Sequence, residues 1–420
     1  MPNKLRSYLT MFALIFAGEA VFSLPFHIPR FFRPTVLEVF DFSSTQLGDA
    51  FAAYGLVAMF AYLLGGPIAD KYAPRNLLAL SLTLTALGGL VMASIPGITT
   101  MYWVYAYWGA TTIFLFWAPL MKATREWGGQ LAQGRAFGLL DGGRGLVAAA
   151  SASFAIIYFA WILPTDVKLA TASQSKEALQ FVIYFYSALT LFAAFLVWIL
   201  LPAGKQSPGQ SSGSLFSRLP EVMAKPIVWV HAVIIVCAYC AYKGLDNYGL
   251  YCVEILGMDQ VEAARFTSNA AYLRLFGALL VGLLADRFGA SRVIATTFLA
   301  LTISYLLLSR ADPQTSNLIY LYANMLVTFF AAYAMRGIYY ALLEEVKTPA
   351  HLTGTTVGLI AFLGYTPDAF YYSIAGRILD SAPGIEGHQL HFMFLGGIML
   401  VGLLLTFLLM WLNREKTEFA

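Results

Sequence analysis

Twelve continuous apolar runs of about 20 residues, separated by short polar turns, set the terms for any fold of this chain. They lie near residues 8–28, 45–69, 76–95, 101–121, 137–161 and 179–201, and then near 226–252, 263–285, 291–310, 316–343, 352–376 and 388–412. Wound as a helix, a run of that length crosses the roughly 30 Å hydrocarbon layer of a bilayer. The runs are unbroken, not alternating polar and apolar at every second residue, and so exclude a transmembrane β-barrel. Hydrophobic residues make up 59% of the 420 and charged ones 12%, against roughly half and a quarter in soluble domains, so lipid is the solvent for most of this surface. A net charge of +3, scattered along the chain, points to no nucleic-acid partner. The fold class is an all-α polytopic membrane protein with twelve transmembrane helices.

The runs divide six and six around residues 202–214, the one long polar stretch rich in Gly, Ser and Pro, which reads as a flexible linker. The expected domains are a six-helix bundle over 1–201, a cytoplasmic linker over 202–225 and a second six-helix bundle over 226–420. The end of the linker, 215–225, reads as a short interfacial helix carrying Arg218 and Lys225. Of the 26 Lys and Arg residues, fifteen gather on the side of the N-terminus, seven on the other, and four fall inside spans. By the positive-inside rule both termini are expected in the cytoplasm, with the chain in a plasma membrane, the inner one in a bacterium. Lys4 and Arg6 precede the first run and no clean cleavage site follows it, so it reads as a retained helix.

A charged loop occurs twice. Gly66-Pro67-Ile68-Ala69-Asp70-Lys71-Tyr72-Ala73-Pro74-Arg75 separates runs 2 and 3, and Gly282-Leu283-Leu284-Ala285-Asp286-Arg287-Phe288-Gly289-Ala290-Ser291-Arg292 separates runs 8 and 9. Gly and Asp four apart share a helix face, so another backbone can come close at Gly66 while Asp70 stands at the membrane boundary. Twelve spans in two halves, a central linker and a paired G-x-x-x-D-[R/K] loop resemble the major facilitator superfamily of secondary transporters. The resemblance implies two pseudo-symmetric bundles around a cavity that opens to either side in turn. It also implies that Gly66, Asp70, Lys71 and Arg75, with the twin set Gly282, Asp286, Arg287 and Arg292, latch the halves in the outward-facing state. Loops that serve only to orient the chain are the alternative. The first copy departs from the family pattern at Ala73, where glycine is usual, and at Pro74.

A looser likeness, in Gly354-Thr355-Thr356-Val357-Gly358, Gly364-Tyr365 and the region from Tyr242 to Asp246, is to the sugar-phosphate permeases and organophosphate:phosphate antiporters. Those hold phosphate with arginines in helices 1 and 7. Here helix 1 offers only Arg30 near its outer end, and Ala241 stands at the helix 7 position with Lys243 two residues on. The likeness therefore extends to organic anions and stops short of phosphate exchange.

A charge near the bilayer centre costs at least a few kcal/mol unless paired or hydrated, so ionisable residues inside the spans are the functional candidates. Glu19, between Gly18 and Ala20 in run 1, is either a proton-carrying carboxylate or the static partner of a base such as Arg144. Asp141 and Arg144 are three apart in run 5 and can pair, while the glycines around Arg144 leave room for it to face a cavity. Run 7 is polar at its centre, with Tyr242, Lys243, Asp246, Asn247 and Tyr248. Lys243 and Asp246 can neutralise each other, or that interrupted centre is a binding face. Arg274 and Arg336 have no acid nearby in sequence. Asp368, after Pro367, is the distant acid able to pair with either, and Pro367 is expected to kink run 11.

Other residues read more plainly. Cys237 and Cys240 have C-x-x-C spacing without a second pair or histidines, and read as packing residues; no metal and no cofactor is expected. Trp103, Tyr105, Tyr107 and Trp108 read as an interfacial belt, and His27, His231, His351, His388 and His391 as residues of span ends. No nucleophile-and-base motif appears, so an enzyme is not indicated. The sharpest functional reading is a monomeric symporter taking up a small organic anion, a carboxylate or sugar acid, with protons as coupling ion. Substrate binding is assigned to Arg144, Lys243, Asn247, Arg274, Arg336 and Tyr242, and proton coupling or charge pairing to Glu19, Asp141, Asp246 and Asp368. Proton-coupled efflux of drugs or metabolites is the alternative, although the G-x-x-x-G-P pattern of antiporters is missing from run 5. A membrane sensor that binds without transport is the alternative of another class.

Overall fold

The computed structural model describes residues 2–129, 133–203, 215–345 and 353–418, and among these described residues the helices group into twelve spans. Span α1 is Pro2–Ala20 continued by Ser23–Phe31, α2 is Ser44–Lys71, α3 is Pro74–Ala93, and α4 runs through Ile98–Gly109, Ala110–Phe114 and Trp117–Gly128. Then come α5 (Gln133–Ile162), α6 (Ala172–Leu200), α7 (Pro226–Gly244, Leu245–Asn247 and Tyr248–Glu254) and α8 (Gln260–Ala271 and Leu273–Phe288). Last are α9 (Ala290–Leu308), α10 (Leu318–Ile338), α11 (Thr353–Gly364 and Pro367–Ser381) and α12 (Ile385–Glu418). Among the described residues eight spans are long and apolar enough to cross a membrane, and the bent pairs α1 and α2 raise this to ten. The other two are interrupted: the pieces of α4 have 12, 5 and 12 residues, those of α11 have 12 and 15. Of the expected linker, 204–214 with Lys205 lies outside the described residues, as do Lys347 and His351; Leu215–Met223 forms the short helix expected after it.

The helix ends follow local chemistry. Ser43 and Gln46 form a reciprocal capping box at the start of α2, Thr171 and Gln174 do so for α6, and Asp259 and Glu262 for α8. Spans α3 and α7 instead begin with Pro74 and Pro226, whose missing N–H would have had no helical partner there.

Two compact units result, one of Met1–Gly209 with Asp246–Tyr272, the other of Gln210–Leu245 with Leu273–Ala420. In the first, α1 is the central helix. Its Ala13, Leu14, Ala17, Ala20 and Val21, spaced three and four apart, are buried against Leu78, Leu82, Leu120, Leu140 and Val197. Phe154, Trp161, Phe195 and Trp198 lie exposed on outer faces, as lipid requires. Two members of the expected aromatic belt depart from it: Trp103 is exposed, but Tyr105 and Trp108 are core residues. Trp108 is held inside because its indole N–H donates to Thr85 O at 3.0 Å. The break in α4 is covered by a polar seam in which Tyr54 and Thr112 hydroxyls meet at 2.7 Å and Ser81 donates to Thr111 O at 2.6 Å. Such side chains replace backbone partners that a π turn gives up.

Candidate functional site

The buried charges sit where helices break. Span α1 bends by 42° between Ala20 and Ser23, and Ser23–His27 continues as a π turn containing Pro25, which supplies no N–H to the ladder. Glu19 precedes the bend and His27 follows it. Both are about 2% exposed, and His27 Nε2 lies 3.1 Å from Glu19 Oε1. The second carboxylate oxygen, Oε2, lies 3.0 Å from Arg144 Nε, and that Nε donates to Gly18 O at 2.9 Å. Asp141 approaches Arg144 from one turn back at 3.8 Å, and the Phe22 and Trp117 rings flank the guanidinium, each centred 5.7 Å away. Gly143 acts differently from the expectation that the glycines around Arg144 leave space. A Cβ at Gly143 would meet Ile15 at 2.7 Å, so this glycine lets α1 and α5 close together and presses Arg144 onto Gly18.

In the second unit Lys243 Nζ lies 2.6 Å from Asp368 Oδ1, and Tyr239 donates to Asp368 Oδ2 at 3.1 Å. Lys243 ends Pro226–Gly244 and Asp368 begins Pro367–Ser381, so cation and anion each sit at the helix end whose dipole favours them. The rings of Tyr239, Tyr242 and Tyr372 surround the ammonium at 4.9, 5.9 and 5.3 Å. Arg336, half-buried, stacks on Tyr242 at 4.2 Å, and Arg274 is buried. One expected pairing is thus corrected. Asp368 serves Lys243 and neither arginine, because the α11 break at Pro367 turns its carboxylate toward α7.

Asp246 is fully buried and pairs with Arg30, itself 4% exposed. Around this pair the segment Asp246–Tyr272 adheres, within the first unit, to the C-terminal end of α1 and the residues that follow it. Thr35 donates to Gln260 at 2.7 Å, Gln260 donates to Glu38 at 2.5 Å, and Gly249 runs alongside the backbone of Arg30. Asn247 is buried beside Asp246 in the short turn Leu245–Asn247.

The paired loops differ from each other. In the second, Gly289 has φ of 90°, open to glycine, and starts α9; in the first, Ala73 is extended at φ −64° and ψ 132°, as the residue before Pro74 must be. Asp70, Lys71, Asp286, Arg287 and Arg292 are exposed, and Arg75 stacks on Trp198 at 4.6 Å. The close approach expected at Gly66 falls one residue earlier. Open space surrounds Gly66 and Gly282, whereas a Cβ at Gly65 would stand 3.1 Å from Phe114 O of α4. One turn before Pro67, whose ring offers no N–H to the carbonyl four residues back, α2 bends by 55° between Tyr62 and Leu64.

Arg30 and His27 are the functional candidates that sequence reading left at a span end. The prolines Pro25 and Pro29 were the available signal, because both are tolerated inside a broken helix and so lengthen α1 to Phe31. His231, His388 and His391 are likewise buried, His231 against Tyr339 O at 2.8 Å and His391 against the Tyr371 hydroxyl at 2.8 Å.

Ion pairs buried at the broken ends of membrane-spanning helices are the architecture of a secondary transporter. Residues 9–370 match the profile of the Major Facilitator Superfamily, and the chain belongs to that family of alternating-access membrane transporters. It is 26% identical to the inner membrane protein YqcE of Escherichia coli (strain K12), covering 99% of this chain and 97% of that one. To the glycerol-3-phosphate transporter of Bacillus subtilis (strain 168) it is 23% identical, over 89% and 87% of the two chains. The crystal structure of the nucleoside transporter NupG (D323A mutant) superposes with a TM-score of 0.72 at 15% identity, over 96% of this chain and 99% of the other, a likeness of fold. The protein is therefore an integral plasma-membrane transporter.

Proposed function

We propose that the protein is a monomeric proton-coupled symporter of a small organic anion of the carboxylate or sugar-acid type, its termini in the cytoplasm and its halves 1–201 and 226–420 rocking about the 202–225 linker. The observation that carries this reading is the divided carboxylate of Glu19, with one oxygen 3.1 Å from His27 and the other 3.0 Å from Arg144. A proton taken up on the Glu19–His27 side weakens the hold of Glu19 on Arg144 and leaves that guanidinium to an anion. In the second unit Lys243, Arg274 and Arg336, with Tyr242 as a neutral partner, supply further positive charge, and in the first unit Asn247 adds a neutral hydrogen-bonding group. The name of the glycerol-3-phosphate transporter relative speaks for an anionic cargo. The Arg30–Asp246 pair and the Gln260 contacts act as the outer gate, and the two charged loops as the opposing latch.

Counterflow in proteoliposomes, screened over carboxylates, sugar acids and sugar phosphates, tests the reading. At least one anion is expected to exchange, and Arg144→Ala and Arg336→Ala are each expected to abolish exchange while leaving folded protein in the membrane. Unchanged exchange in both variants overturns the anion site.

A further inference from the structure

Within the second unit α8, α9 and α10 enclose a groove of about 730 Å³, lined by apolar side chains such as Leu280, Leu284, Ala300, Leu326 and Ala331 and carrying one charge, Arg292. Its walls are uneven in a way that holds it open. Ala300 and Ala331 are small, while Leu280 and Leu326 on the rim are exposed. At Gly277 the α8 backbone approaches α10, with a Cβ there only 3.2 Å from Phe330 O, so the helices stay in register beside the hollow. Lengthwise, the α9 wall runs from Arg292 to Ala300, about 12 Å at 1.5 Å per residue. That is close to the thickness of one leaflet's hydrocarbon, about 15 Å. The charge lies at the membrane boundary, in the first turn of α9, and the apolar walls lead from it toward the bilayer middle.

We propose that this groove is a binding site for a phospholipid of the leaflet on the side of the Asp286–Arg292 loop, one acyl chain lying in the groove and an anionic headgroup meeting Arg292. A chain-length match, an apolar wall and a single terminal cation together fit an amphiphile with one negative end. A wholly apolar ligand would leave Arg292 without a counter-charge, and a water-soluble anion would leave the walls against nothing. The groove is separate from the buried charges that the transport reading uses; it shares Arg292 with the second charged loop, and the lipid assignment holds whether or not that loop acts as a latch.

Native mass spectrometry of the purified full chain, titrated with palmitoyl-oleoyl phosphatidylglycerol and with the phosphatidylcholine of the same chains, tests it. The chain is expected to retain phosphatidylglycerol over phosphatidylcholine by about fivefold, the contribution of one arginine near an anionic surface. Arg292→Gln is expected to erase that preference while keeping the bound chain, and Ala331→Leu, which fills the groove, to lose both lipids. Glycerol phosphate in excess is expected not to displace the lipid. Equal retention of both lipids by the wild-type chain, or displacement by glycerol phosphate, overturns the headgroup assignment; undiminished retention in Ala331→Leu, shown folded by circular dichroism, overturns the groove.

Discussion

Arg30 and Asp246 stand 216 residues apart in the chain and meet where neither side chain is more than 5% exposed. Removing one member of such a pair leaves the other charged and desolvated, at a cost of about 3–5 kcal/mol. Arg30→Gln or Asp246→Asn alone is expected to lower the thermal unfolding midpoint in detergent markedly. The double replacement Arg30→Met with Asp246→Leu is expected to recover most of it. Sequence reading identified Asp246 as a buried acid, because it interrupts an apolar run, but its partner was out of reach. Which base an acid meets depends on how helices pack, and Lys243, three residues away, was the nearer choice on paper. Glu19 was legible for the same reason as Asp246. His27 was not, because it lies eight residues further on, at the end of the run over 8–28, and only the bend in α1 brings it back to Glu19.

Among the elements, the two charged loops invite a direct comparison. Gly289→Ala places a Cβ at φ 90° and is expected to destabilise by roughly 1–2 kcal/mol, whereas Ala73→Gly, at an extended position, is expected to cost well under that. In α2, Gly65→Leu must displace Phe114 O and is expected to impair folding, while Gly66→Ala meets open space and is expected to be neutral or stabilising by about 0.5–1 kcal/mol. Unfolding curves of the four variants check this ranking, and a Gly66→Ala protein less stable than Gly65→Leu would contradict it. The duplicated loop and the kink at Pro367 were readable because Gly, Pro and Asp carry fixed backbone consequences. The π turn of α4 was not, since Ala110–Phe114 contains residues that also occur in an ordinary helix, and that of α1 carried no signal besides Pro25.

For the whole molecule, the number of spans and the membrane as solvent followed from run length and composition alone, whereas the transporter family rested on the resemblance carried by the paired loops and on the match over residues 9–370. The exchange of Asp246–Tyr272 into the unit built by the first half did not follow, because a break at Gly244 looks the same whichever neighbour the next residues join. Transport by a protein of this class also depends on which buried charge cycles, and that is the claim most open to measurement. Uptake of the radiolabelled anion found by counterflow should be measured into proteoliposomes, with and without an inward proton gradient. For the wild-type chain the account predicts uptake that accumulates the anion in proportion to the proton gradient. For Glu19→Gln it predicts exchange of the anion with no response to the gradient. Glu19→Gln uptake that still follows the proton gradient would contradict it.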